Sequence, residues 1–280
     1  MAILIDGKKL AGDIRLRVRD KVAASARAPS LAVVLAGSDP GSLVYIQGKE
    51  RACAETGIKF ALHRFQENVS QAELLSFIDS LNADETVDAI LVQQPLPKQI
   101  DTHAAVCRVD PMKDVDCLHP YNMGLVMAGS AALPPCTPAG VIIMLEESGI
   151  KLEGKTCVVL GRSNVVGKPV AMMLMQKNAT VTICHSKTEN LHDITRRADV
   201  LVAAIRQPRF VTAEMIKEGC AVIDVGINRL EGKKICGDVD YKSCFEKAGY
   251  ITKVPGGVGP MTVAFLMENC LRAMELRRAR

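Results

Sequence analysis

Short apolar runs of strand type alternate with amphipathic stretches of helical period along most of this 280-residue chain, and that alternation restricts the fold more than any other feature. The runs Leu31–Leu35, Ile58–Phe65 and Ala89–Gln93 are separated by two helical segments. The first is expected to start at Ser42 as N-cap and to stop at Gly57. The second runs from Gln71 to Leu81, with Ser70 as N-cap and Glu73 at the capping-box position. Leu10 to Ser25 adds an earlier helix whose outer face is dense in Arg and Lys. Strands joined through helices by short connections specify an α/β fold with a parallel sheet wound by helices. Ligands of such sheets collect at the carboxyl ends of the strands, where both Gly37-Ser-Asp-Pro-Gly41 and Gln93-Gln-Pro-Leu-Pro97 fall.

The chain then breaks at Leu133-Pro-Pro-Cys-Thr-Pro138, with Thr137 and Pro138 expected to open a helix reaching about Ser148. This places one domain at 1–138 and a second at 139–259. The second opens with strand Thr156–Leu160, the turn Gly161-Arg-Ser-Asn-Val-Val-Gly167, a helix over Lys168 to Lys177, and strand Ala179–Cys184. That order is a βαβ nucleotide unit, whose helix start offers main-chain amides to a pyrophosphate. The turn reads G-x-S-x-x-x-G and not G-x-G-x-x-G, so by itself it also describes a strand simply closing onto a helix. After the second strand, where an NAD-preferring fold places a carboxylate on the ribose hydroxyls, stands His185-Ser186-Lys187, with Arg162 in the turn. Hydroxyl and cationic groups there favour a 2′-phosphate and therefore NADP. Asp199–Ile205 and Ala221–Val225 continue as strands, with a short helix over Thr212 to Gly219.

Composition excludes several classes. With 48% hydrophobic side chains, the chain can build two real cores. A formal charge of +4, with dispersed Lys and Arg and no basic stripe interleaved with aromatics, gives no nucleic-acid surface. Arg277-Arg278 reads as the solvated, dipole-favoured end of a helix. No run of about 18 apolar residues exists, and Met1-Ala-Ile-Leu-Ile-Asp6 is too short for a secretory signal, so a cytoplasmic protein without membrane contact is expected. Ten cysteines without any C-x-x-C pair suggest free thiols serving as small hydrophobes, and no metal.

The chemistry-bearing stretches are few. Tyr45 and Lys49 lie four residues apart on one helix face, with Gly48 beside the lysine at a helix-interior cost of about 1 kcal/mol. Spacing alone equally fits an ordinary solvated face, but Lys49 and Gln93 are both expected near strand ends facing one crevice. Asp114 and Asp116 lie in the polar segment Asp110–Asn122, as loop-capping groups or as members of a functional loop. Val254-Pro-Gly-Gly-Val-Gly-Pro-Met-Thr262 reads as a rigid loop with exposed amides, either an interdomain turn or a wall for a flat ligand, followed by a helix over Val263 to Leu276.

Taken together, VYIQGKERA, ILVQQPLP, KDVDCLHPYN, PPCTPAG, VVLGRSNVVGKP, TVTICHSKT, VIDVGIN and KVPGGVGPMT resemble, in order and over nearly the whole chain, the bifunctional methylenetetrahydrofolate dehydrogenase and methenyltetrahydrofolate cyclohydrolase family. The resemblance implies an amino-terminal catalytic domain and an NADP-binding Rossmann domain with a cleft between them, residues 260–280 packing back on the first domain, and a homodimer. It places the catalytic lysine on Lys49, its partner tyrosine on Tyr45, the glutamine bonded to the lysine on Gln93, and the pterin-holding aspartate on Asp116. The closing loop falls on Pro255 to Thr262, with Pro255, Gly256, Gly257 and Thr262 against the folate. The NADP contacts fall on Gly161, Arg162, Ser163, Ser186 and Ile227. The implied chemistry is hydride transfer from 5,10-methylenetetrahydrofolate to NADP, then hydrolysis of the methenyl product. In that second step a lysine with depressed pKa serves as general base.

Two positions depart from the pattern. Cys117 and Arg206 stand where the family usually has Gly, the first beside the pterin aspartate and the second at a strand end near the dinucleotide. An NADP-linked reductase of another small molecule, and a folate-binding protein whose Rossmann half is impaired by Arg206, are the competing readings.

Overall fold

The computed structural model describes residues 1–230 and 234–278. The chain opens with β1 (Ile3–Leu4) and α1 (Gly7–Ala24), then alternates β2 (Ser30–Ala36), α2 (Pro40–Thr56), β3 (Lys59–Phe65), α3 (Gln71–Ala83) and β4 (Ala89–Val92) before α4 (Thr102–Arg108) and α5 (Pro120–Ala128). Then come α6 (Cys136–Glu147), β5 (Thr156–Leu160), α7 (Gly167–Gln176), β6 (Thr180–Cys184), α8 (Leu191–Thr195), β7 (Val200–Ala203) and β8 (Ala221–Asp224). Closing the chain are β9 (Asn228–Arg229), β10 (Ile235–Cys236), α9 (Tyr241–Phe245), β11 (Tyr250–Ile251) and α10 (Val258–Arg278). Two compact units result: Gly12–Cys136 with Val263–Arg280, and Met1–Ala11 with Thr137–Thr262.

In the first unit the sheet order is β3-β2-β4, all parallel. Its central strand β2 is buried almost throughout, as a continuous apolar run between helix layers should be. Leu74, Ile78 and Leu81 line one face of α3 and are buried with Val34, Ile90 and Val92. Each such side chain contributes roughly 1.5–3 kcal/mol by leaving water. The N-cap of α2 is Asp39 and not Ser42, its carboxylate accepting the Ser42 amide at 2.7 Å and hydroxyl at 3.0 Å. Pro40, pre-set for the first helical position, pulls the start forward and leaves Ser42 buried in the first turn. Gly57, at φ +76°, ends the helix as expected.

Two buried polar groups and one half-buried arginine lock this unit. Lys113 is 1% exposed, and its ammonium donates to the carbonyls of Leu81, Asn82 and Asp84, each at 2.8 Å, at the C-terminal end of α3. Burial lowers its pKa, and the nearby Arg277 adds to that. Asp88, fully buried before β4, accepts Arg27 through both oxygens at 2.5 and 2.6 Å and the Ser30 amide at 3.0 Å. Arg277 donates to the Val87 carbonyl at 2.6 Å, so it is a tether for α10 and not a solvated helix end. Between β4 and α6 the chain forms α4 on the Asp101 cap and α5 on a His119 cap with Pro120 at its first position, so the polar segment Asp110–Asn122 runs into a helix at its end.

The second unit is a six-stranded parallel sheet of order β1-β11-β8-β7-β5-β6. Residues 1–11, counted with the first domain on sequence grounds, belong here instead, because β1 pairs with β11 (Ile3 with Tyr250). A two-residue strand carries no period for a sequence to display. The chain runs out from β5 to β6 on one side and returns to β7 on the other, which makes the β5 end the switch point of the sheet. The helix expected over Thr212 to Gly219 shrinks to a single 3₁₀ turn, Ala213–Met215. The glycine-rich segment is not one loop: a turn over residues 254–257 leads straight into α10 at Val258. Among the described residues, no helix is long and apolar enough to cross a membrane.

Candidate active site

The register set by the Asp39 and Pro40 start of α2 turns Ile46, Lys49 and Cys53 inward. Lys49 is therefore 9% exposed, and the solvated-face reading fails for it. Its amine donates to Gln93 Oε1 at 2.9 Å. Gln93 follows β4 and is held at both ends, its main-chain amide on the Val34 carbonyl and its side-chain NH₂ on the Gln94 carbonyl at 2.7 Å, so the amide oxygen is the end presented to the lysine. Burial drives the Lys49 pKa down, against the opposing pull of Asp116, in surroundings that include the buried thiols Cys136, Cys270 and Cys53. All three thiols are themselves pushed up by burial and stay neutral, which gives the amine a polarisable but uncharged wall. Tyr45 lies one turn earlier on α2 and is 44% exposed.

The two aspartates of the following loop differ in task. Asp114 is buried and accepts the amides of Leu118 and His119 and the Asn122 side chain at 3.2, 2.9 and 2.9 Å, the work of a loop-capping group. Asp116 is half-buried and carries none of those bonds; both aspartates line one small cavity with Ile90, Val92, Val106 and Leu118. Asn269 of α10, wholly buried, fixes the backbone just before Asp116 by donating to the carbonyls of Val115 and Pro134, both at 2.8 Å. Sequence reading passed over Asn269, although a lone amide among the buried apolar positions of a helix was a signal.

Both departures from the family pattern sit on left-handed backbone, Cys117 at φ +56° and Arg206 at φ +55°. That conformation costs an L-residue roughly 1–2 kcal/mol, while glycine gives back about 0.5–1 kcal/mol in unfolded-chain entropy. Arg206→Gly at this exposed position is accordingly expected to gain up to about 1 kcal/mol in a urea unfolding titration. Cys117→Gly also removes a buried thiol and is expected to gain nothing. A stability loss in Arg206→Gly would contradict the strain argument.

In the second unit the turn after β5 is shaped by its glycines. Gly161 stands at φ +116° with the Ala204 carbonyl against the place a Cβ would take, and at Gly167 a Cβ would strike the Gly161 carbonyl. Ser163 Oγ accepts the Val166 and Gly167 amides at 3.2 and 3.3 Å and so organises the turn from within. Among the described residues the amides of Arg162, Ser163, Asn164 and Val165 have no protein acceptor, and the stretch 162–165 is exposed. After β6 the tight turn His185–Thr188 exposes Ser186 and Lys187, and the first carboxylate comes only at Glu189. Free amides, a guanidinium and no carboxylate at the end of β6 fit a dinucleotide carrying a 2′-phosphate. Ile227, 38% exposed, follows the end of β8. Of the glycine-rich residues, Pro255 is exposed and Gly256 takes φ +106°, while Gly257 is buried, with the Lys253 carbonyl oxygen 2.7 Å from the place a Cβ would take. Thr262 lies within α10 and shares a 2.8 Å hydrogen bond with Thr137. Lys49, Gln93 and Asp116 thus belong to one unit, the nucleotide-type turn and the 255–262 residues to the other.

A parallel sheet with a glycine turn at its switch point in one unit, and a buried amine in a second parallel-sheet unit, define the class as a two-unit α/β enzyme of the dinucleotide-binding type. Comparison with known proteins narrows the class to one family. The chain belongs to the tetrahydrofolate dehydrogenase/cyclohydrolase family: residues 5–116 match the model of its catalytic domain and residues 135–278 that of its NAD(P)-binding domain. It is 49% identical to the bifunctional protein FolD of Acetivibrio thermocellus, over 99% of this chain and 98% of that one. To the protein of the same name from Nitrosospira multiformis it is 51% identical over 100% and 98%. Among solved structures, the bifunctional FolD enzyme of Campylobacter jejuni superposes with a TM-score of 0.96 at 44% identity, covering 99% of this chain and 100% of that one. The Trypanosoma brucei dehydrogenase-cyclohydrolase, complexed with NADP cofactor and inhibitor, does so at 0.95 and 38%, covering 100% and 99%.

Proposed function

We propose that this chain oxidises 5,10-methylenetetrahydrofolate to the 5,10-methenyl form with NADP⁺ and then hydrolyses that product to 10-formyltetrahydrofolate. The observation that carries this reading is the buried Lys49 amine held by Gln93 Oε1 at 2.9 Å. An amine with depressed pKa is available in neutral form, and a cationic methenyl substrate lowers it further. Lys49 takes a proton from the water that attacks the methenyl carbon and delivers one to the ring nitrogen that departs as the five-membered ring opens. Gln93 orients the amine, and Asp116 accepts hydrogen bonds from the pterin. Tyr45 flanks the substrate at its exposed side, and Pro255, Gly256, Gly257 and Thr262 form its remaining contacts. Bound NADP⁺ supplies the hydride acceptor for the first reaction. Gly161 and Ser163 hold its pyrophosphate side, Arg162 and Ser186 the 2′-phosphate, and Ile227 the nicotinamide side. Folate chemistry in this reading falls to residues 12–136 with α10, and nucleotide binding to 137–262. The protein works as a cytoplasmic homodimer on small molecules, without nucleic-acid or membrane partners.

Mixing protein, NADP⁺ and 5,10-methylenetetrahydrofolate is expected to raise the reduced-nicotinamide absorbance, followed by appearance and decay of the methenyl band. Folate binding without nucleotide reduction would overturn the proposal. So would turnover of NADP⁺ only with an unrelated substrate.

A further inference from the structure

Beyond β8 the short pair of β9 and β10 brings the chain back to Asp238, which is wholly buried. Its Oδ2 accepts the amides of Ile205 and Arg206 at 2.7 and 3.0 Å, and its Oδ1 accepts the Gln207 amide and the Asn228 side chain, both at 2.9 Å. Three successive amides can turn toward one carboxylate only if the backbone between them curls tightly, which accounts for the left-handed Arg206. Asp238 is itself seated by Asp224, whose Oδ1 accepts the Asp238 and Gly226 amides at 2.9 and 3.0 Å and whose Oδ2 accepts Val239 at 3.0 Å. At Gly226 an added Cβ would strike the Asp238 carboxyl group. The loop so gathered leaves β7, the neighbour of β5, and its first residue, Ala204, packs its carbonyl oxygen on Gly161 of the nucleotide-type turn. Asn228, held by the same carboxylate, adjoins Ile227. One buried carboxylate therefore ties the loops that follow β7 and β8 into a single shape.

We propose that Asp238 is a positioning residue for the dehydrogenase reaction, holding the 204–207 loop and the 226–228 segment in the form that the dinucleotide requires. It is too deep to touch the cofactor and acts through the main chain it gathers. The inference rests on the assignment of NADP to the Gly161 turn. Displacing such a wall by about an ångström is enough to weaken binding and turnover many-fold.

The test uses the full chain, which carries an internal control. Cyclohydrolase activity on 5,10-methenyltetrahydrofolate needs no nucleotide, so it reports folding without reporting the dinucleotide loop. In Asp238→Asn, an NH₂ replaces one acceptor oxygen; the NADP⁺ KM and the NADPH Kd, from nicotinamide fluorescence, are expected to rise about tenfold or more. Cyclohydrolase turnover should stay within about twofold. Gly226→Ala reaches the same carboxylate by crowding and is expected to give the same split; if Asp238→Asn does not fold, Gly226→Ala and Asn228→Ala carry the test. Nucleotide constants within about twofold of wild type in the folded variants would overturn the proposal, as would a proportional fall of both activities. An Arg162→Ala arm separates the two failures. If it weakens NADPH binding while the others do not, Asp238 alone is misassigned; if it binds normally, the placement of the dinucleotide is what falls.

Discussion

Lys49→Met is expected to slow the cyclohydrolase reaction by roughly 10²–10⁴-fold, the usual contribution of a positioned general base, while hydride transfer remains measurable. The second reaction needs a group that takes and returns a proton, whereas the first needs aligned ligands. The fold should not suffer. Burial holds the Lys49 pKa below its ordinary 10.5, so the folded state disfavours the protonated amine. That cost is fully present at pH values below the depressed pKa and disappears as pH rises past the unfolded value. Methionine removes it, and thermal unfolding at neutral pH is expected at the wild-type temperature or above. Lys49→Arg should not rescue, since a guanidinium stays charged throughout. Wild-type cyclohydrolase rate should climb with pH through the depressed lysine pKa and then level, and the slope should vanish in Lys49→Met. Equal loss of both activities would remove the division of roles.

Lys113→Met is expected to give the largest stability loss of any single substitution considered, about 3–5 kcal/mol in equilibrium urea unfolding. The ammonium is the shared donor for three carbonyls at the end of α3, and methionine leaves them unsatisfied in a dry site. Replacing both partners of a buried polar contact is often neutral, but here the carbonyls belong to the backbone and remain. Because Lys113 lies three residues before Asp116, the folate KM should also rise in whatever fraction stays folded. A loss below about 1 kcal/mol would mean that water reaches those carbonyls.

Much of the architecture was legible because its causes are local. The β2 to β4 alternation, the Ser70 cap of α3, the Gly57 stop and the βαβ unit around Gly161 each depend on residues within a turn or two of one another. The family likewise followed from linear motifs. Where the reading slipped, a nearby competitor won: Asp39 with Pro40 displaced Ser42 as the cap of α2.

From the chain alone came the α/β class, the nucleotide-type turn without a carboxylate after its second strand, and the singling out of Lys49 with Gln93 and Asp116. Only the folded chain decided that Lys49 is buried, that Asp114 is a buried loop cap while Asp116 stays half-buried, and that Ile3–Leu4 extends the six-stranded sheet. It alone disclosed Lys113, Asn269 and Asp238, each with partners 32 or more positions away in the chain. A buried polar group is defined by what surrounds it, and neither hydrophobic period nor capping rules carry information across such separations.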